Sequence, residues 1–255
     1  MTIDMKRKFL GSLIMMALLA GLTACGPTLA QKKDQSEIHY RLGAVHLNDR
    51  NLADALNELT KAIEIYPDNP TYHDALGLAY LAKGMHKEAL ASMDKALSID
   101  RSYSEAHVNK AAVYMDQQRW VEAIDESKAA VRNIFYRTPE YAWFNMGWSY
   151  YNLGEMEKAV ESYSKAVGAR PSYAQAWYNM GLAYEKMNRP KDAVASYNKA
   201  IAIFPGYVEA YFNMGMALVK AKDKPGAVKA FEKVIELAPA SEKAQSARDY
   251  IGLIR

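Results

Sequence analysis

Cysteine is all but missing from this sequence: Cys25 is the single one in 255 residues, so no disulfide can form within the chain. Proline and glycine are sparse as well, at 9 and 14, which argues against low-complexity or collagen-like organisation. An excess of charge is also lacking. The net charge is only +3, and Lys6, Arg7 and Lys8 set against Asp4 supply two of the three positive units. The remainder is too weakly basic for nucleic acid to be expected as a partner. No apolar run reaches the roughly 20 residues that a membrane-spanning helix needs; Phe9 to Ala20 falls short. Half of the residues are nonetheless hydrophobic, enough to bury a substantial core in a compact domain or an elongated array.

What is present begins with a segment of separate design. Lys6, Arg7 and Lys8 precede the apolar stretch, and small residues follow at Thr23 and Ala24. This charged, apolar and small-residue order describes a secretory signal peptide over residues 1–24. The stretch Leu22-Thr23-Ala24-Cys25-Gly26 resembles the lipobox of bacterial lipoproteins. That resemblance implies diacylation of Cys25, which becomes the mature N-terminus, the alternative being a free thiol in an uncleaved anchor. Two or three acyl chains anchor firmly where one does not. Such lipoproteins are retained in the inner membrane when aspartate follows the cysteine. Here Gly26 follows, which implies the outer membrane, periplasmic face. Residues 26–35, GPTLAQKKDQ, are polar and without apolar period, and read as a tether, so that 25–35 form a lipidated N-terminus and linker.

From residue 36 the chain repeats itself every 34 residues. Units run over 36–69, 70–103, 104–139, 140–173, 174–207 and 208–241. Position 8 is Gly43, Gly77, Ala111, Gly147, Gly181 and Gly215; position 20 is Ala55, Ala89, Ala123, Ala159, Ala193 and Ala227; position 32 is Pro67, Arg101, Phe135, Pro171, Pro205 and Pro239. Positions 4, 7, 8 and 11 fall on one face of a first helix, and 20, 24 and 27 on one face of a second. Small residues at 8 and 20 allow close approach, and proline near 32 ends the pair. One such hairpin cannot cover its own apolar face, so it must stack on neighbours. The pattern resembles the tetratricopeptide repeat. The resemblance implies an all-α, right-handed superhelical solenoid of six helix-turn-helix repeats, closed by a capping helix over 242–255 behind Ser241.

The period slips once. Units three and four start 36 residues apart, and Thr138-Pro139-Glu140 restarts the next helix two residues late. Threonine as N-cap, proline at the first helical position and glutamate after it are a strong start signal, so the insertion lies in an inter-unit loop.

In tetratricopeptide superhelices the stripe at positions 2, 5, 9 and 12 lines a concave groove. In unit four it reads Tyr141, Phe144, Trp148 and Tyr151, all aromatic. Tyr178 and Phe212 continue it, and units two and three add Leu78, Leu81, Val108 and Met115. Position 6 carries Asn109, Asn145, Asn179 and Asn213, whose amides could each accept from and donate to an extended backbone. The competing reading is that the aromatics fill seams between repeats and the asparagines satisfy local polar groups. Taken together the two ladders suggest a protein-binding groove, in which aromatic anchors are frequent hot spots.

Other recurrences point to no chemistry. His39, His73 and His107 share position 4, but equivalent residues of stacked repeats lie about 8 to 10 Å apart, too far to ligate one metal at about 2 Å. Lys61, Lys95, Lys165, Lys199 and Lys233 at position 26 read as a solvated convex face. No phosphate-binding loop, paired-histidine helix or nucleophile elbow is present, so no catalytic residue, cofactor, metal or small-molecule substrate is expected.

A lipobox, a short tether and six repeats, with Asn133, Tyr136, Thr138, Pro139, Glu140, Asn145 and Gly147 around the slip, resemble the type IV pilus biogenesis lipoproteins, the secretin pilotins of the PilF, PilW and Tgl type. This implies outer-membrane secretin subunits as partners, whose insertion and multimerisation the protein promotes, and a part in twitching motility. A periplasmic adaptor that docks peptidoglycan hydrolases or other envelope complexes would use the same architecture, and a glycosyltransferase accessory module is disfavoured because no catalytic domain follows.

Overall fold

The computed structural model describes residues 26–254 and holds, among them, thirteen α-helices and no strand. Unit one pairs α1 (Leu29–Asn48) with α2 (Leu52–Ile65), unit two α3 (Pro70–Ala82) with α4 (His86–Ile99), and unit three α5 (Ser104–Asp116) with α6 (Trp120–Arg132). Unit four pairs α7 (Pro139–Asn152) with α8 (Met156–Ala169), unit five α9 (Ala174–Lys186) with α10 (Pro190–Ile203), and unit six α11 (Val208–Lys220) with α12 (Lys224–Leu237). α13 (Glu242–Ile254) closes the array, and the Ser241 hydroxyl accepts from the Ala244 amide at 3.1 Å as the expected cap. From unit two onward each first helix starts within a residue of the repeat frame.

The chain curves because its two layers of helices pack unequally. Each helix lies against the next, and the first helices of units one to five also touch their counterparts in succession, whereas the second helices do not touch to a like extent. The first helices therefore stand on the inner, concave side.

Within each hairpin one steric pairing recurs. A Cβ added at Gly43 would lie 2.6 Å from Leu59 Cγ, at Gly77 2.8 Å from Met93 Cγ, at Gly147 2.6 Å from the Tyr163 ring, at Gly181 2.5 Å from the Tyr197 ring and at Gly215 2.6 Å from the Phe231 ring. These large partners all occupy position 24, and all are fully buried. In unit three, where position 8 is Ala111, position 24 is Ser127, also fully buried. A methyl on one helix is thus matched by the loss of a large side chain on the other, as interior packing at crystal-like density requires. Positions 20 and 27 are buried alanines or valine in every unit.

Two expectations need correction. On the first helix, positions 3, 8 and 10 are buried from unit two on, while 11 is half-buried throughout and 4 nearly so. The apolar pattern misleads because 3 and 10 are mostly alanine or another small residue, whereas 4 and 11 carry large amphipathic rings. Those rings lie along the outer edge beneath cations: Lys165 over Trp143 at 4.6 Å, Arg119 over Tyr114 at 4.5 Å and Arg189 over Tyr184 at 4.8 Å. Position 7 is buried from unit three on, but in α1 positions 3, 7 and 10, Ile38, Leu42 and Val45, are exposed, since no described unit precedes to cover them. The second correction concerns the tether. α1 begins at Leu29, and Thr28 and Gln31 form a reciprocal capping box that satisfies two otherwise unpaired amides. Residues 29–35 are therefore helical although exposed.

The slip is absorbed between α6 and α7, which still pack together. Asn133 ties the loop, its amide donating to the Ser102 carbonyl at 3.0 Å and its Oδ1 accepting from the Phe135 amide at 3.0 Å. Ile134 and Phe135 are left facing solvent. Thr138 holds the N-cap position with Pro139 behind it, but its side chain makes no capping bond.

The pairing of positions 8 and 24 predicts that Gly147→Ala destabilises the protein by about 1 to 3 kcal/mol through overpacking, despite alanine's better helix propensity. A thermal midpoint equal to or above that of the parent would contradict it.

Candidate functional site

On the concave side the first-helix stripe and the inter-unit loops enclose two depressions. The first, of about 510 Å³, lies across units one to four and is lined by Asp74, Leu78, Val108, Asn109, Tyr141 and Asn145 together with Tyr40, Tyr103 and Tyr136. The second, of about 480 Å³, runs from Met115 past Phe144, Trp148, Tyr178 and Asn179 to Leu182 and Tyr207. α7 supplies residues to both, Tyr141 and Asn145 to one and Phe144 and Trp148 to the other. The aromatic helix is the ridge they share.

The rings serve two purposes. Phe144 packs on Tyr163 and Tyr173 with centroids 5.8 and 5.1 Å away, and Trp148 stacks on Tyr151 at 5.8 Å. Tyr178 meets Tyr197 at 5.7 Å and Tyr207 at 4.8 Å. Each fills a seam with part of its surface and faces the groove with the rest. Tyr141 is the most open of unit four's set; Arg170 donates to its hydroxyl at 3.1 Å. Phe212 lines neither depression, being turned toward Phe231 and Tyr250 at 5.7 and 6.2 Å in the seam with α13.

The asparagines bind within the chain. Asn109 Nδ2 donates to both Asp74 oxygens at 3.0 and 2.9 Å, Asn145 Nδ2 to the Val108 carbonyl at 3.4 Å and Asn213 Nδ2 to the Tyr178 hydroxyl at 2.9 Å. All three partners sit at position 5 of the preceding unit. Position 5 of unit four is Phe144, and Asn179 instead faces the Tyr163 hydroxyl. Asn145 and Asn179 are buried. The ladder stitches successive first helices together, so its amide donors are not at a ligand's disposal. Cys25 lies outside the described residues.

The three position-4 histidines stay in their own surroundings: His39 and His107 each contact a glutamate of the second helix, Glu58 and Glu126, at 2.6 Å, and His73 donates to the Pro67 carbonyl at 2.7 Å. The position-26 lysines are exposed or, for Lys61, half-exposed.

Two sets of residues escaped the sequence pattern. Tyr103, Tyr173 and Tyr207 precede the first helices of units three, five and six, and Tyr136 takes the same part in the slipped loop. Their rings close the groove between repeats, and the recurrence of tyrosine at position 34 was the available signal. The second is Asp74, only 5% exposed. Burial pushes its carboxyl up to about 6, with the Asn109 amide pulling down and Glu105 pushing up.

The comparisons with known proteins agree with this architecture. Tetratricopeptide repeat family models match residues 51–84, 71–103, 147–188, 174–207 and 208–241, together more than half of the chain. The chain belongs to the tetratricopeptide repeat proteins, and a protein-interaction scaffold is what that repeat defines. Among solved structures it is similar to PilF of Pseudomonas aeruginosa, with a TM-score of 0.75 at 19% identity over 86% of this chain and 99% of that one. It is equally similar to PilW, described as a widely conserved type IV pilus biogenesis factor, at 0.75 and 18% over 84% and 98%. At such identities the likeness is one of fold. The Protein CTR9 homolog of Arabidopsis thaliana is 26% identical over 51% of this chain and 12% of its own length. The chain spans less than a fifth of the first curated relatives it matches.

Asp74 yields a pH prediction. Its carboxyl ionises near 6 in the fold against an ordinary 3.8, so between those values the folded chain holds a proton that the unfolded chain has lost. Stability falls as pH rises through this window, by about 3 kcal/mol in all. Asp74→Asn is expected to raise the thermal midpoint at pH 7.5 and to lose that advantage at pH 4. Equal midpoints for parent and variant at pH 7.5 would contradict the assignment.

Proposed function

We propose that this chain is a lipid-anchored pilotin that captures secretin subunits at the periplasmic face of the outer membrane and promotes their insertion and multimerisation. The observation that carries the reading is the end-to-end likeness to PilF and PilW, in which both proteins are matched over nearly their whole length. The lipobox-like LTACG around Cys25 and the aromatic groove of α7 support it.

The mechanism is tethered capture without catalysis. Acyl chains on Cys25 hold the solenoid at the inner leaflet, which raises its effective concentration around arriving subunits. An extended or apolar segment of the subunit then lies along the concave face, over Phe144, Trp148 and Tyr178, and is shielded until assembly buries it. Ile134 and Phe135 project from the loop at the groove's rim and add apolar contact there.

The test is the amount of detergent-resistant secretin multimer in outer membranes at matched secretin expression. Without this protein the multimer is expected to disappear while monomer persists. Trp148→Ala is expected to weaken subunit binding by about 2 kcal/mol, roughly 30-fold, and Cys25→Ser to abolish membrane anchoring. Unchanged multimer in the deletion strain would overturn the reading and leave an adaptor for cell-wall enzymes as the function to pursue.

A further inference from the structure

The 510 Å³ depression differs in chemistry from its neighbour. Asp74 and Glu105 are its charged lining residues, and no lysine, arginine or histidine lines it. Tyr40, Tyr103, Tyr136 and Tyr141 surround it, with Thr71 near the Tyr103 hydroxyl and Thr138 near that of Tyr136. The cavity is thus a ring of aromatic faces around one deep carboxylate, with a second carboxylate on the exposed first turn of α5.

Asp74 is buried with few partners inside the fold. Its two oxygens share one neutral donor, the Asn109 amide at 3.0 and 2.9 Å, although a carboxylate can accept about four bonds. The groups that face it are Asn109 and Glu105 on α5 and Tyr40 on α1, with Tyr103 in the loop before α5. None of them carries positive charge. Arg170, which donates to the hydroxyl of the lining residue Tyr141, lies 4.0 Å from Glu140. A buried carboxylate left short of donors destabilises the protein that holds it, yet this one opens into a cavity where a ligand could complete its bonds.

We propose that this cavity is a subsite for an arginine side chain of the bound polypeptide, the guanidinium pairing with Asp74 and Glu105 and lying against the tyrosine faces. The charge of the lining sets the sign of the occupant, and a planar guanidinium satisfies both features at once: it pairs with two carboxylate oxygens and stacks on aromatic rings. The apolar depression beyond Tyr141 then takes the apolar residues that follow in the same segment. This inference rests on the reading of the concave face as a peptide groove, and it adds a charge requirement to that face.

The experiment is calorimetric titration of the full chain in detergent micelles with Ac-Gly-Gly-Arg-Gly-Gly-amide and its citrulline counterpart, which keeps the shape of the side chain and removes its charge. The arginine peptide is expected to bind at least tenfold more tightly at pH 7. Its affinity should rise about tenfold from pH 5 to pH 7, as Asp74 goes from about one-tenth to nine-tenths ionised around its value of about 6. Asp74→Asn should lose both the preference and the pH dependence while keeping its helical circular dichroism, and Glu105→Gln, on an exposed turn, should lose a few-fold. Equal binding of arginine and citrulline peptides, or a preference that survives Asp74→Asn, would overturn the proposal. No secretin enters this titration, so its failure leaves the pilotin reading standing, and a negative multimer assay leaves the subsite standing.

Discussion

Everything in this solenoid depends on how closely two helices of a hairpin approach, and that distance is set by one contact. A glycine, or in unit three an alanine, at position 8 faces the residue at position 24, which is leucine, methionine, tyrosine or phenylalanine where glycine stands and serine where alanine stands. The large side chain fills the space that the missing Cβ vacates. Because the same compensated volume recurs in each unit, the hairpins present similar outer surfaces and can stack at one spacing. The unequal packing of first and second helices follows, and with it the curvature that gathers the first helices on the concave side.

On that side the protein holds groups that packing alone would not select. Aromatic rings such as Phe144 and Tyr178 are anchored in seams by buried partners, so they keep their positions without a ligand. A rigid, partly exposed ring loses little conformational freedom on binding. Asp74 works in the opposite sense, since its burial raises the energy of the ionised fold. A groove that combines preset rings with an underbonded carboxylate is organised to gain from a partner's arrival, which is where stability and function commonly diverge.

The fold is largely legible in the sequence, and for a physical reason: a 34-residue period repeats the same small-residue constraint six times, so noise in one unit is corrected by the others. The slip at Thr138-Pro139 was equally visible. Residues that lie outside the helical stripes were not. The tyrosines at position 34 sit in loops, where the 3.6-residue period says nothing, and Asp74 interrupts an apolar stripe as a polar residue would on any solvated face. The buried small residues at positions 3 and 10 are less legible than the larger rings at 4 and 11, because hydrophobicity weighs a side chain's area and burial here follows closeness of approach. Helix α1 extended past its expected start because a local capping box, rather than tertiary packing, determines it. The asparagine ladder could be recognised as a pattern, but only the geometry revealed that its donors join one repeat to the next.

The most direct test of the central constraint is to convert unit three to the pairing of its neighbours and follow thermal unfolding of Ser127→Tyr, Ala111→Gly and the double variant. Ser127→Tyr alone sets a ring against the Ala111 methyl and should destabilise sharply. Adding Ala111→Gly should recover more than the roughly 1 kcal/mol that glycine costs within a helix, so that the double variant is more stable than Ser127→Tyr. A double variant no more stable than Ser127→Tyr would show that positions 8 and 24 do not set the spacing of the hairpin.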